Sequence, residues 1–140
     1  MSALGAFRSA LSKYATFRGR ARRTEFWWWY LSLGAVMGTL VLATFGGSLT
    51  SAAAAATLTQ DEAGPGILAA SALAVLAVVP SLALLVRRLH DTGREGWHAL
   101  LALVPIVGPL RLLAWAAVAG DDGPNDYGPD PRGVRATLQA

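Results

Sequence analysis

The chain has no cysteine, which excludes disulfides and thiolate metal sites. It is short of charge: 15% of its 140 residues are Asp, Glu, Lys or Arg, where soluble domains carry roughly a quarter. A water-facing surface of this size needs more. Histidine is limited to His90 and His98, too few for a histidine-based metal site without carboxylate help. Lys13 is the only lysine among the 12 basic residues. There is no phosphate-cradling glycine loop, no dinucleotide turn and no metal-ligand cluster. No metal, cofactor or nucleic-acid partner is therefore expected.

Apolar residues are abundant. They make up 54% of the chain and come in blocks. No charge occurs between residues 26 and 50 or between 67 and 86, and about 20 apolar residues cross a bilayer core. The composition predicts an all-α membrane protein: an N-terminal amphipathic interfacial helix followed by a bundle of about three transmembrane helices. It reads as a single membrane domain over 1–140. Its parts are a basic segment (1–25), span 1 (26–50), an external loop (51–66), span 2 (67–86), a cytoplasmic loop (87–98), a third inserted segment (99–119) and a polar tail (120–140).

Residues 3–17 place Leu4, Phe7, Leu11, Tyr14 and Phe17 at three- and four-residue steps, the pattern of an amphipathic helix that Gly19 is placed to end. Such a helix suits the headgroup plane or packs on the protein's own loops. Trp27, Trp28, Trp29 and, beyond the second span, Trp97 are expected as interface anchors. Gly34 and Gly38 lie one turn apart, as do Ala70, Ala74, Ala77 and Ser81, and both sets offer small faces for helix packing. Gly64, Pro65 and Gly66 are expected to break the chain between spans, and Pro80 to kink the second. Thr92 and Glu95 have capping-box spacing and predict a new helix there. The third stretch holds Pro105, Gly108, Pro109 and Arg111. It is one bent span or a re-entrant hairpin turning at 105–109. The tail is outside in the first case and inside in the second.

Lysine and arginine bias sets orientation. The first 25 residues hold six bases, the first loop none, and the second loop Arg87, Arg88 and Arg94. The N-terminus and the loop 87–98 are thus expected in the cytoplasm. The basic start is too long, and the apolar run exceeds the core of a cleaved signal peptide.

Three stretches together resemble a known family: 17–28 (FRGRARRTEFWW), 87–97 (RRLHDTGREGW) and 123–131 (GPNDYGPDP). The chain is similar over nearly its whole length to bacterial domain-of-unknown-function family 805. That resemblance implies a small multi-pass inner membrane protein with no settled activity, and it draws Asn125, Tyr127 and Asp130 of the tail motif into view. The chain departs from the family's habit at His98, Arg111, 120–122 and Asp126.

The candidate site joins Arg20, Arg22, Arg23, Glu25, Arg87, Arg88, His90, Asp91 and Arg94 at one membrane face. Guanidinium groups hold phosphate through two parallel bonds. The bland reading is that these bases only fix topology and pair with Glu25, Asp91 and Glu95. The preferred function is a non-enzymatic membrane component binding anionic lipid headgroups or a partner protein, with a homo-oligomer or other membrane proteins as further partners. The alternatives are a subunit of an oligomeric channel or transporter and a lipid-modifying enzyme. No catalytic residue is expected: His90 and Asp91 are adjacent in a turn and no nucleophile accompanies them.

Overall fold

A computed structural model of the chain describes residues 3–50 and 60–133. Its elements are helices α1 (Ala3–Ser12), α2 (Arg23–Thr50) and α3 (Gln60–His90), a 3-10 helix (Gly96–Leu103) and helix α4 (Val107–Ala117). No strand occurs among the described residues, where the sole β feature is an isolated bridge between Asn125 and Gly128. The stretch 51–59 and the tail from 134, Arg135 included, lie outside the description.

Two helical stretches, Arg23–Phe45 and Gly64–His90, are long and apolar enough to cross a membrane. The first starts before the expected span 26–50 and stops short of its end; the second runs past the expected 67–86 at both ends. Arg23 opens α2 and Arg87 and Arg88 stand in the last turn of α3. Gly64, Pro65 and Gly66 lie inside α3 rather than breaking it. In an apolar medium an unpaired backbone group costs more than the weak helix propensity of glycine, so the helix continues. Pro65 falls in the second turn of α3, where it removes one backbone bond without ending the helix.

The chain divides into two compact units. One comprises Leu31–Val78, the outer parts of α2 and α3. There Gly66 passes so close to Thr44 that any side chain at 66 would collide with it. Gly34 and Gly38 play no such part, since a Cβ at either meets nothing within 4 Å. Val41, Leu42, Leu68, Val75 and Leu76 are exposed, as expected of side chains that face lipid.

The other unit comprises Met1–Tyr30 and Val79–Ala140. Its core is Ala10, Ala21, Phe26, Trp29, Leu84, Leu85, Leu89, Leu112 and Ala116. Helix α1 is shorter than expected: it stops at Ser12, whose hydroxyl donates to Ser9 O (3.1 Å) while Lys13–Ala15 form a turn. It docks on the start of α2, with Ala10 fully buried and Phe7 stacked on Trp29 at 5.1 Å, and leaves Leu4 and Leu11 exposed.

Trp29 is thus not the interface anchor it was expected to be. It is 2% exposed, and its indole N–H donates to Ser81 Oγ (3.0 Å). Three consecutive helical residues point about 100° apart, so they cannot share one environment. Trp28 is exposed, Trp27 half-buried and Trp97 exposed.

The third apolar stretch is not one continuous helix. The 3-10 helix ends at Leu103, Ile106 takes a left-handed φ of 65°, and α4 starts at Val107. Gly108 N donates to Val104 O (3.1 Å), and a Cβ on Gly108 would fall on the Leu101 carbonyl. The two short helices therefore pack as a tight hairpin, and at 8 and 11 residues neither reaches the ~20 needed to span. The expected capping box is absent as well. Glu95 flanks the 3-10 helix without a side-chain cap bond, and Thr92 Oγ1 turns back to Leu89 O (2.9 Å).

Candidate functional site

The polar end of α3 carries Arg87, Arg88 and, one turn on, Asp91. The segment before α2 carries Arg20 and Arg22. Arg20, Glu25, Arg87, Arg88 and Asp91 are all buried, none more than 7% exposed. They form a clasp, not an outward-facing array.

Asp91 is its centre. One carboxylate oxygen accepts from Arg20 Nε (2.9 Å) and the other from Arg88 Nη1. Both oxygens accept from guanidinium groups, an arrangement that favours the ionised form. Burial pushes the Asp91 carboxyl above its usual range, while Arg20 and Arg88 pull it down. The rest of Arg20 reaches into the tail, with Nη1 donating to Gly123 O and Nη2 to Asp121 O (2.5 Å each). Arg88 turns the other way. Its Nε donates to Ala116 O (3.1 Å), Nη2 to Val118 O and Nη1 also to Ala21 O (3.5 Å). It thereby satisfies carbonyls that the end of α4 leaves open, where a cation also meets the negative end of the helix dipole. A planar guanidinium with five fixed donors does this work, and an ammonium does not.

A second joint holds α1. Ser9 Oγ donates to Glu25 Oε1 (2.9 Å), which also accepts from Arg87 Nη1 (3.5 Å). Arg87 Nε reaches Ala83 O (3.4 Å), and Nη2 is buried without a partner among the described residues. Three buried guanidinium groups thus meet two carboxylates, and backbone carbonyls take up much of the remaining donor capacity.

The tail closes over this cluster. Asp121 N donates to Asp91 O (2.8 Å), and Asn125 Nδ2 donates to His90 O (2.9 Å). His90 stacks on Tyr127 with ring centroids 4.0 Å apart, and its Nδ1 lies 3.2 Å from Gly19 O. Gly120 passes so near the Asp91 carboxylate that any side chain there would strike it. Asp130 accepts from Arg132 Nε (3.1 Å) and Gly123 N (3.3 Å), which holds its carboxyl down to about 2. The tail therefore lies on the same face as the basic segment and the loop after α3.

Several contributors were not expected at the site from the sequence: Ser9, Ser81, Gly120, Asp121 and Arg132. Arg132 donates to Asp121 O (2.9 Å) and Asp122 Oδ1 (2.7 Å) as well as to Asp130. Its distance in sequence from the membrane segments hid this. Arg22 is taken up by Pro131 O (Nε, 2.6 Å). Arg23 is exposed, and Arg94 sits apart, over the ring of Trp115. Beside the clasp, Arg22, Arg23, Thr24, Asp91, Pro131 and Arg132 line a cavity of about 310 Å³. Among the described residues no group of His, Asp or Glu is arranged to hold a metal ion.

A helical fold with two span-length apolar helices and a buried arginine–carboxylate clasp defines a membrane protein. The chain belongs to the family described as Protein of unknown function (DUF805), which matches residues 14–129. It is 38% identical over 122 residues to Inner membrane protein YhaH of Escherichia coli (strain K12), covering 87% of this chain and 92% of that one. It is also 38% identical over 125 residues to Inner membrane protein YhaI of the same organism, covering 89% and 92%. No solved structure matches.

Proposed function

We propose that this protein is a non-enzymatic component of the bacterial inner membrane that binds the phosphate of an anionic lipid headgroup at the cavity beside its clasp. The basic segment and the loop 87–98 face the cytoplasm in this reading. One observation carries it: the 310 Å³ cavity is bordered by Arg22, Arg23 and Arg132. Of these, Arg23 is exposed, and among the described residues no carboxylate lies within salt-bridge distance of it. The larger group of arginines once expected to face the ligand is occupied internally, so binding falls to the rim. The names of YhaH and YhaI and the basic bias of the N-terminal segment support the location.

A base at the membrane surface adds about 1 kcal/mol towards anionic lipid. Arg23→Gln is therefore expected to lower phosphatidylglycerol retention by the purified protein about fivefold, and Arg23→Lys to restore part of it. Inorganic phosphate is the second arm. Displacement of lipid by phosphate alone assigns the cavity to a free anion. Undiminished lipid retention in Arg23→Gln sinks the proposal.

A further inference from the structure

Two guanidinium groups stand outside the clasp and share one aromatic ring. Arg94 Cζ lies 4.6 Å, and Arg111 Cζ 5.0 Å, from the centroid of Trp115. Arg111 precedes Trp115 by one turn of α4, while Arg94 comes from the loop after α3 and donates to Thr92 O (3.1 Å). His98 meets Trp115 edge-on at 5.4 Å, and Trp97 stacks on His98 at 4.1 Å. Among the described residues no carboxylate comes within 4.0 Å of either guanidinium. The acid nearest in sequence, Glu95, accepts from the Trp97 indole N–H instead.

Trp97 is also one wall of an apolar groove of about 410 Å³. Its other walls include Phe17, Leu82, Val86, Leu100 and Leu103, and no charged residue lines it. A cationic pair thus lies two rings away from a greasy channel. Stacking on tryptophan restrains each arginine, so less side-chain freedom is lost when phosphate binds.

We propose that Arg94 and Arg111 bind the phosphate of an anionic phospholipid, one acyl chain of which lies in the groove walled by Trp97, Phe17, Leu100 and Leu103. The charge of the pair selects an acidic headgroup, and the groove selects a lipid over a free anion. None of these residues lines the Arg23 cavity, so this site stands or falls separately from that one.

The test uses the full chain in zwitterionic detergent, titrated with phosphatidylglycerol, phosphatidylcholine and inorganic phosphate and read by native mass spectrometry. Each base is expected to account for about fivefold in affinity, so Arg94→Gln with Arg111→Gln loses about 30-fold for phosphatidylglycerol. Phosphatidylcholine binding changes little. Arg111→Gln alone, at an exposed position, keeps the fold and loses about fivefold. Ala102 also lines the groove, so Ala102→Trp fills it and weakens both lipids.

Unchanged phosphatidylglycerol affinity in the arginine variants overturns the proposal. Inorganic phosphate binding as tightly as the lipid overturns the acyl-chain part. A loss confined to Arg23→Gln supports the clasp cavity and overturns this site; a loss confined to the Arg94 and Arg111 variants does the reverse.

Discussion

Arg88 shows why arginine was used where lysine would set topology equally well. Its Nε, Nη1 and Nη2 reach Ala116 O, Ala21 O, Asp91 and Val118 O from one rigid plane. Lysine keeps the charge but cannot reach all four, and each stranded buried group costs about 1–3 kcal/mol. Arg88→Lys is expected to destabilise by about 3 kcal/mol, seen as a lower midpoint of thermal unfolding in micelles. An unchanged midpoint counts against the clasp. Asp130 gives a pH prediction at the same scale. Its carboxyl is held down to about 2 from an ordinary value of 3.8. A depressed folded value stabilises above the ordinary value and is lost as pH falls through the folded one. The turn at 123–132 is therefore expected to loosen as pH drops from about 4 to about 2. Carbon NMR of the Asp130 carboxyl checks this, with Asp130→Asn showing the loosened state at neutral pH.

At the scale of elements, the hairpin of the 3-10 helix and α4 depends on one missing side chain. Gly108 lies against the Leu101 carbonyl with no room for a methyl group. Gly108→Ala must therefore part the two short helices or distort the turn at Ile106, and overpacking of this kind costs about 1–3 kcal/mol. Protease sensitivity between Leu103 and Val107 is expected to rise. A variant as resistant as the parent would mean that the hairpin is looser than described. The periodicity of 3–17 was legible because a helix repeats its face every third or fourth residue, although the helix itself stops at Ser12. Its docking partner was not, because Ser9, on the polar side of that helix, finds Glu25 only through tertiary packing.

At the scale of the whole molecule, the tail's contacts make a prediction about topology. Asp121 and Asn125 bond to the Asp91 and His90 carbonyls, which keeps the tail on the face of the basic segment. Single cysteines at Ser12 and Asp126, both exposed, are expected to react with an impermeant reagent from the same side. A cysteine at Gln60, at the start of α3, reacts from the opposite side if Gly64–His90 crosses the bilayer. Labelling of Ser12 and Asp126 from opposite sides would restore a third crossing.

What the sequence by itself determined was the class and the two long helices. Uncharged runs at 26–50 and 67–86 leave the backbone no partner but itself in an apolar medium, so helices follow from composition alone. The family was legible too, in three short motifs. The fate of the arginines was decided only by the tertiary structure. Arg20 and Asp91 are 71 residues apart, and Arg20 and Gly123 are 103 apart. A buried charge must find its partners in space, and no periodicity records where those lie. So the bases that read as an outward cationic face became an internal clasp, while Arg23 and Arg111 stay exposed.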